Sequence, residues 1–297
     1  ASKSIVNWSE QWVLCGCENG DILQYDMSKG TNIKYFKGQT ERITALAELP
    51  QFFGFASGSQ DKTIKLWNVS TNECLKTWYG HDGAITSLIV IDKEKFIISG
   101  SSDGTIRYNS YRGIDHDSTG ILSRFIAPVT TLTLSQDKSW LLIGLENGDI
   151  YRYIIQTKQC KPVWRGHTAS INALTLSPET RWAMSGDDNN KIILWDVGKG
   201  TVRATCSLPC PVTTMQWSQD NQSRIVIGMA DGSVSVWQFK EQSLSLHLIW
   251  RSNPWGLVAK NAHLLGAYGL DAFQENILSQ RGMAIQVSSR SSETILS

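Results

Sequence analysis

Residues 57–68 read SGSQDKTIKLWN, and residues 185–196 read SGDDNNKIILWD. The same frame returns as SGSSDGTIRYNS at 99–110 and IGMADGSVSVWQ at 227–238. Weaker copies are CGCENGDILQYD at 15–26 and IGLENGDIYRYI at 143–154. The fifth position is always Asp or Asn: Asn19, Asp61, Asp103, Asn147, Asn189 and Asp231, at spacings of 42, 42, 44, 42 and 42. Next comes Gly20, Lys62, Gly104, Gly148, Asn190 or Gly232. Asp-Gly or Asn-Gly between alternating apolar runs marks a tight hairpin, because the turn needs a positive φ that glycine adopts without steric cost. Lys62 fits this requirement worst.

Around each turn the apolar residues alternate with polar ones, the period of a strand. Upstream lie further strand-like runs, at 85–91, 129–134, 171–176 and 212–217. A fourth run falls around Phe36, Trp78, Trp164 and Trp250. Four short strands in a unit of about 40–45 residues make one blade of a β-propeller. The expected fold is therefore all-β, with six four-stranded blades over residues 1–252. The Trp residues recur in register and are expected to pack blades together, not to line a cofactor site.

On these residues the chain resembles the WD-repeat β-propeller family, over about residues 3–252. Gly80-His81, Gly166-His167, the LSPET turn at 176–180, Trp67-Asn68 and Trp195-Asp196 carry the likeness. The resemblance implies a structural network of a loop His, a strand Ser or Thr, the turn Asp and a strand Trp. The second repeat supplies Ser57, Asp61 and Trp67, with Gln39 replacing His. The third supplies His81, Ser99 and Asp103, with Asn109 replacing Trp. The fifth supplies His167, Ser185 and Trp195, with Asn189 replacing Asp. Asp231 and Trp237 hold the corresponding places in the sixth. No repeat is complete on this alignment. Unpaired buried polar groups cost about 1–3 kcal/mol each, so His81 and His167 are expected to be structural. The His, Ser and Asp imitate a hydrolase triad in composition only.

Propellers present loops on one rigid face, where binding residues concentrate. The resemblance places Glu18, Gln60, Ser102, Glu146 and Asp188, just before the turns, on a partner-binding rim. Thr40, Arg42, Asp82, Thr168 and Ser170, entering the inner strands, join them. Acids outnumber Arg42, so the rim is expected to be partly acidic and to prefer a basic or polar protein partner. The expected role is a non-enzymatic interaction scaffold, as the recognition module of a larger multidomain protein. A propeller oxidoreductase or glycosidase is the enzyme alternative, and a passive oligomerisation domain is the structural one. An enzyme would need a cofactor platform, metal ligands or converging carboxylates, and the acids here are spread at repeat spacing. Asp115-His116-Asp117 lies in the longer repeat and is read as an exposed polar loop.

Family rings usually have seven blades and close by sharing strands. Here no spare strand is left at either end. Two closures stay open: six self-contained blades held by side-chain packing, or a longer chain whose seventh blade lies upstream. The second is favoured.

Composition bounds the partners. Lys and Arg number 28 against 27 Asp and Glu, a net charge of +1, which lacks the footprint of a nucleic-acid or membrane-surface binder. No apolar stretch approaches the roughly 18 residues of a membrane span. No glycine-rich phosphate loop precedes a helix, so no cofactor and no small-molecule substrate is expected. The six cysteines show no paired metal spacing and are read as reduced thiols of a cytoplasmic protein. The sequons at Asn7, Asn68 and Asn221 are taken as chance. Residues 253–297 read as an appendage. NAHLLGAYGL (261–270) weakly resembles the end of a pentapeptide-repeat segment, and Asp271 is a plausible cap for a short helix carrying Phe273, Ile277 and Leu278.

Overall fold

The computed structural model describes residues 3–7, 12–29, 31–49, 54–92, 94–112, 118–218, 223–243, 245–252, 263–265 and 284–286. Six four-stranded antiparallel sheets follow one another as simple meanders, giving a six-bladed β-propeller. Blade one is β1 (Lys3–Asn7), β2 (Trp12–Gly16), β3 (Ile22–Asp26) and β4 (Asn32–Phe36). Blade two is β5 (Ile43–Leu49), β6 (Gly54–Ser59), β7 (Ile64–Asn68) and β8 (Cys74–Trp78). Blade three is β9 (Ile85–Ile91), β10 (Phe96–Ser101), β11 (Thr105–Ser110) and β12 (Thr119–Arg124). Blade four is β13 (Val129–Leu134), β14 (Trp140–Leu145), β15 (Ile150–Ile154) and β16 (Gln159–Trp164). Blade five is β17 (Ile171–Leu176), β18 (Trp182–Asp187), β19 (Lys191–Asp196) and β20 (Thr201–Ser207). Blade six is β21 (Val212–Trp217), β22 (Arg224–Met229), β23 (Val234–Lys240) and β24 (Ser245–Arg251).

The hairpins form where the turn chemistry demands. Gly20, Gly104, Gly148 and Gly232 all take positive φ. Lys62 and Asn190 accept the same left-handed conformation, at φ 71° and 64°. The side chain of Asp61 offsets the strain beside Lys62 by accepting from Thr63 N at 3.0 Å and Thr63 Oγ1 at 2.6 Å.

Each blade buries one face against the next. Five apolar clusters fill five successive junctions. Leu14 and Ile22 meet Phe55 and Trp67 between blades one and two. Leu66 and Trp78 meet Ile85 and Ile97 at the second junction, and Ile98 and Ile106 meet Leu141 and Tyr153 at the third. Leu142 and Trp164 meet Ile193 and Trp195 at the fourth. Met184 and Leu194 meet Met215 and Trp217 at the fifth. At about 25 cal/mol per Å² of apolar surface, this burial is the main stabilising term. A side-chain clasp runs round the inner strands as well. Thr44 Oγ1 donates to Ile85 O, Thr130 Oγ1 to Ile171 O, and Asn172 Nδ2 to Val212 O at 3.1 Å.

The six cysteines are free. Beyond residue 252 the described part is β25 (His263–Leu265) paired in parallel with β26 (Ala284–Gln286). The helix expected after Asp271, with Phe273, Ile277 and Leu278, lies outside the described residues, as does Asp115-His116-Asp117.

Candidate functional site: a rim of paired loops

Two loops per blade meet at one end of the strands, and backbone bonds pin them together. Gln60 N donates to Arg42 O at 2.9 Å, and Ser102 N to Ala84 O at 2.9 Å. Glu146 N bonds Pro128 O at 3.0 Å, Asp188 N bonds Ser170 O at 3.1 Å, and Ala230 N bonds Pro211 O at 2.9 Å. In five blades, therefore, the residue before the hairpin turn is fixed beside the residue entering the inner strand. The side chains of Glu18, Thr40, Arg42, Gln60, Asp82, Ser102, Glu146, Thr168 and Asp188 are exposed, and that of Ser170 is half-buried. Asp188 is steadied by Asn172 Nδ2, which donates to its Oδ1.

Blades one and two together line one open stretch of this rim. Glu18, Thr40, Glu41, Arg42 and Gln60 line a depression of about 380 Å³. Ile43 N bonds Cys17 O at 2.9 Å across the junction and fixes its floor. Glu41 was not among the residues expected on the rim. It lies between two that were, and only the closeness of the two blades brings it in.

Behind the rim lie the buried polar networks. In blade five, Trp195 Nε1 donates to Ser185 Oγ at 2.7 Å. Ser185 Oγ lies 2.6 Å from His167 Nε2, and His167 Nδ1 lies 2.7 Å from Asp187 Oδ2. The four groups form one directional chain if the imidazole carries its proton on Nδ1. The alignment that left this repeat without its acid is corrected here: Asn189 plays no part, and Asp187 supplies the carboxylate from the last residue of β18. Asp187 Oδ1 also accepts from Asn189 N at 3.0 Å and Lys191 N at 2.9 Å.

In blade three, Ser99 Oγ lies 2.9 Å from His81 Nε2, and His81 Nδ1 lies 2.9 Å from Asp103 Oδ2. Asn109 Nδ2 stands in for the Trp, donating to Ser99 Oγ at 3.3 Å. In blade two, Gln39 does the work of the His. Ser57 Oγ donates to Gln39 Oε1 at 2.6 Å, Trp67 Nε1 donates to Ser57 Oγ at 2.8 Å, and Gln39 Nε2 donates to Thr63 O at 3.0 Å. Asp61 serves the rim instead, accepting from Thr40 N at 2.9 Å.

Blade six departs from the expectation for Asp231 and Trp237. Ile227 occupies the serine position, so Trp237 Nε1 turns to Ser235 Oγ at 2.9 Å. Asp231 accepts from Ser233 N at 2.9 Å and Ser233 Oγ at 2.6 Å, is also bonded by Cys210, and faces Arg251 at 3.5 Å. No four-membered network forms there among the described residues.

Burial pushes the imidazoles of His81 and His167 below the ordinary histidine range, and the attraction of Asp103 and Asp187 only partly opposes it. Both rings are therefore neutral at pH 7, and each contact with its Asp is a hydrogen bond, not an ion pair. Burial alone would raise the Asp103 carboxyl, but bonds from Thr105, His81 and Asp82 outweigh it and hold Asp103 at about 2. Ser57, Ser99 and Ser185 are fully buried, and their hydroxyls are spent inside the networks. No substrate carbonyl can reach them in this arrangement. Among the described residues no group of His, Cys, Asp and Glu could hold a metal ion. No helix among them is long and apolar enough to cross a membrane.

Comparison with known proteins agrees with this architecture. The family model described as "WD domain, G-beta repeat" matches residues 30–68, 72–108, 158–196 and 200–238, just over half of the chain. The repeats around Asn19 and Asn147, outside these matches, are the weaker copies in the sequence. Periodic tryptophan protein 2 of Arabidopsis thaliana is 27% identical over 243 residues, covering 80% of this chain and 26% of that protein. The 66 kDa stress protein of Physarum polycephalum is 24% identical over 318 residues, covering 93% and 51%. Pre-mRNA-processing factor 17 of Homo sapiens is 23% identical over 189 residues, covering 62% and 32%. The chain thus spans between a quarter and a half of the length of these curated relatives.

Proposed function

Because this chain belongs to the WD-repeat family, we propose that it is a protein–protein interaction scaffold whose partner sits on the rim of paired loops. The pinning of two loops in five blades carries this reading. It presents exposed side chains on a frame that loses little entropy when a partner docks, and preorganisation of that kind favours affinity. Glu18, Glu41, Asp82, Glu146 and Asp188 outnumber Arg42, so the preferred partner is a basic or polar segment of a protein. A net charge of +1 favours a protein over a nucleic acid as that partner.

The reading is non-enzymatic, since both His–Ser–Asp constellations are closed and serve stability. Residues 1–252 act as the recognition domain and residues 253–297 as an appendage. The six free thiols fit a reducing compartment, and we place the chain in the cytoplasm.

The test is charge reversal. Glu146→Lys with Asp188→Lys should weaken binding of a captured partner at least about tenfold, in line with roughly 1.4 kcal/mol of lost rim electrostatics. Unchanged affinity, with the fold intact by circular dichroism, would remove the rim from the account.

A further inference from the structure

A cavity opens at the end of the inner strands opposite the rim. It measures about 160 Å³, room for several waters. Three successive inner strands supply its polar wall. Thr133, Thr175 and Gln216 each stand fifth in their strand, β13, β17 and β21. At that level blades two and three carry Ala47 and Ile89, which pack against the apolar clusters. Gln136, Ser177 and Thr180 complete the polar lining from the turns that follow β13 and β17. Leu134, Leu176 and Pro178 form the apolar remainder, and no charged side chain lines the cavity.

Two of these hydroxyls are half used. Thr175 Oγ1 accepts from Trp217 N at 2.9 Å and Ser177 Oγ from Trp182 N at 3.1 Å, and both residues are buried. Among the described residues neither hydroxyl donates to a protein group. The matching serine of blade four is closed: Ser135 Oγ accepts from Trp140 N at 3.1 Å and donates to Trp140 O at 2.8 Å. A buried donor without an acceptor is costly, and the cavity is where an acceptor fits. The second sign is backbone strain. Thr180 takes φ 54° at the turn position where blades three and four have Lys95 and Lys138. The left-handed conformation suits a β-branched residue least. Thr180 Oγ1 bonds no protein group among the described residues, so nothing within the chain offsets the strain. Strain of this kind persists where a ligand is clamped. Gln216 Nε2 donates to Trp217 O at 3.1 Å, which leaves its Oε1 to accept.

We propose that this cavity binds a small uncharged polyol, of the size of one neutral sugar ring or less. The ligand's hydroxyl oxygens accept from Thr175 and Ser177, and its hydroxyl protons go to Gln216 Oε1, because a hydroxyl both donates and accepts. Thr133 and Thr180 add two more hydroxyls to the same wall. Leu134, Leu176 and Pro178 meet the carbon frame. An anion is disfavoured, since it would give up hydration with no cation in the lining to replace it. No acid or base lines the cavity, so the ligand is held and not converted. The site is separate from the rim and does not depend on a partner docked there.

Saturation-transfer difference NMR on the full chain tests this, with glycerol, D-glucose and D-gluconate as the probes. Glycerol or D-glucose should give a saturable signal, and gluconate, which adds a carboxylate, should give none. Thr180→Gly removes one hydroxyl and relieves the strained turn. It should weaken the neutral probe at least about fivefold, the effect of one lost hydrogen bond, while Tm stays equal or rises. Gln216→Ala, at an exposed position, should weaken the probe similarly and leave Tm unchanged. Glu146→Lys with Asp188→Lys, on the rim, should leave the probe's affinity as it is. Three results would overturn the proposal. Neither neutral probe could give a saturable signal. The affinity could be unchanged in either cavity variant, which places binding elsewhere. Or gluconate could bind as tightly as glucose, which removes the selection for an uncharged ligand.

Discussion

Replacing Asp187 by Ala tests the buried network at the point where sequence and structure part. Its carboxylate accepts from His167 Nδ1 at 2.7 Å, Asn189 N at 3.0 Å and Lys191 N at 2.9 Å, and its side chain is wholly buried. Bonds to a charged group contribute about 1.5–3 kcal/mol each, but a turn amide can recover water once the carboxylate is gone. The His167 donor is buried and cannot. The expected net loss is about 3 kcal/mol, from one orphaned imidazole N–H and a weakened turn. For a propeller of this size that lowers Tm by about 6–12 °C. Asn189→Ala removes an exposed side chain with no network bond and should stay within about 0.5 kcal/mol. Urea unfolding followed by tryptophan fluorescence reads both variants against wild type. The reasoning fails if Asn189→Ala costs as much as Asp187→Ala, or if Asp187→Ala costs less than its neighbour.

Further expectations follow from the same geometry. His81→Gln should be tolerated within about 1 kcal/mol, since Gln39 already fills that role in blade two, while His81→Leu takes the acceptor from the buried Ser99 hydroxyl and one donor from Asp103 and should cost at least twice as much in the same unfolding assay. Stability should fall as pH drops below about 6.5, the ordinary histidine value. The unfolded chain then takes up protons that buried His81 and His167 refuse, and a second loss begins below about 4 as Asp103 protonates in the unfolded state first. Urea midpoints that stay flat from pH 7.5 to 3.5 would contradict this. Gly148→Ala should cost clearly more than Gly232→Ala: both strain a positive φ, but only at Gly148 does the new methyl strike backbone, at His167 O and Ala169 O. Equal losses of Tm would show that the two turns share one environment.

The repeat was legible because hairpin chemistry is local. Asp or Asn followed by a residue that tolerates positive φ marks the turn whatever surrounds it, and the 42-residue period then fixes the blades. The substitution of Gln39 and Asn109 into network positions was legible for the same reason. Asp187 was not. In blade three, Ser101 Oγ accepts from Asp103 N at 3.1 Å, and Asp103 accepts from Thr105 N at 2.8 Å and from His81. In blade five, Asp187 sits at the Ser101 position and takes over both tasks, reaching the His from two residues upstream. A positional alignment compares residue types and cannot see two roles merged into one longer-reaching side chain. Blade six misled for the opposite reason. Asp231 and Trp237 keep the motif, but Ile227 removes the hydroxyl that would join them, and no histidine enters from the preceding loop. The rim residues followed from the turn positions, whereas Glu41 depended on how closely blades one and two approach.

Site-specific photocrosslinking tests the central claim most directly. A benzoyl-phenylalanine placed at Glu146, on the rim, is compared with one at Lys199, in the turn at the opposite end of blade five. Under cellular conditions the account predicts discrete protein adducts from position 146 and none from 199. Adducts from 199 alone would move the binding surface to the other face of the propeller and contradict the rim as its site of action.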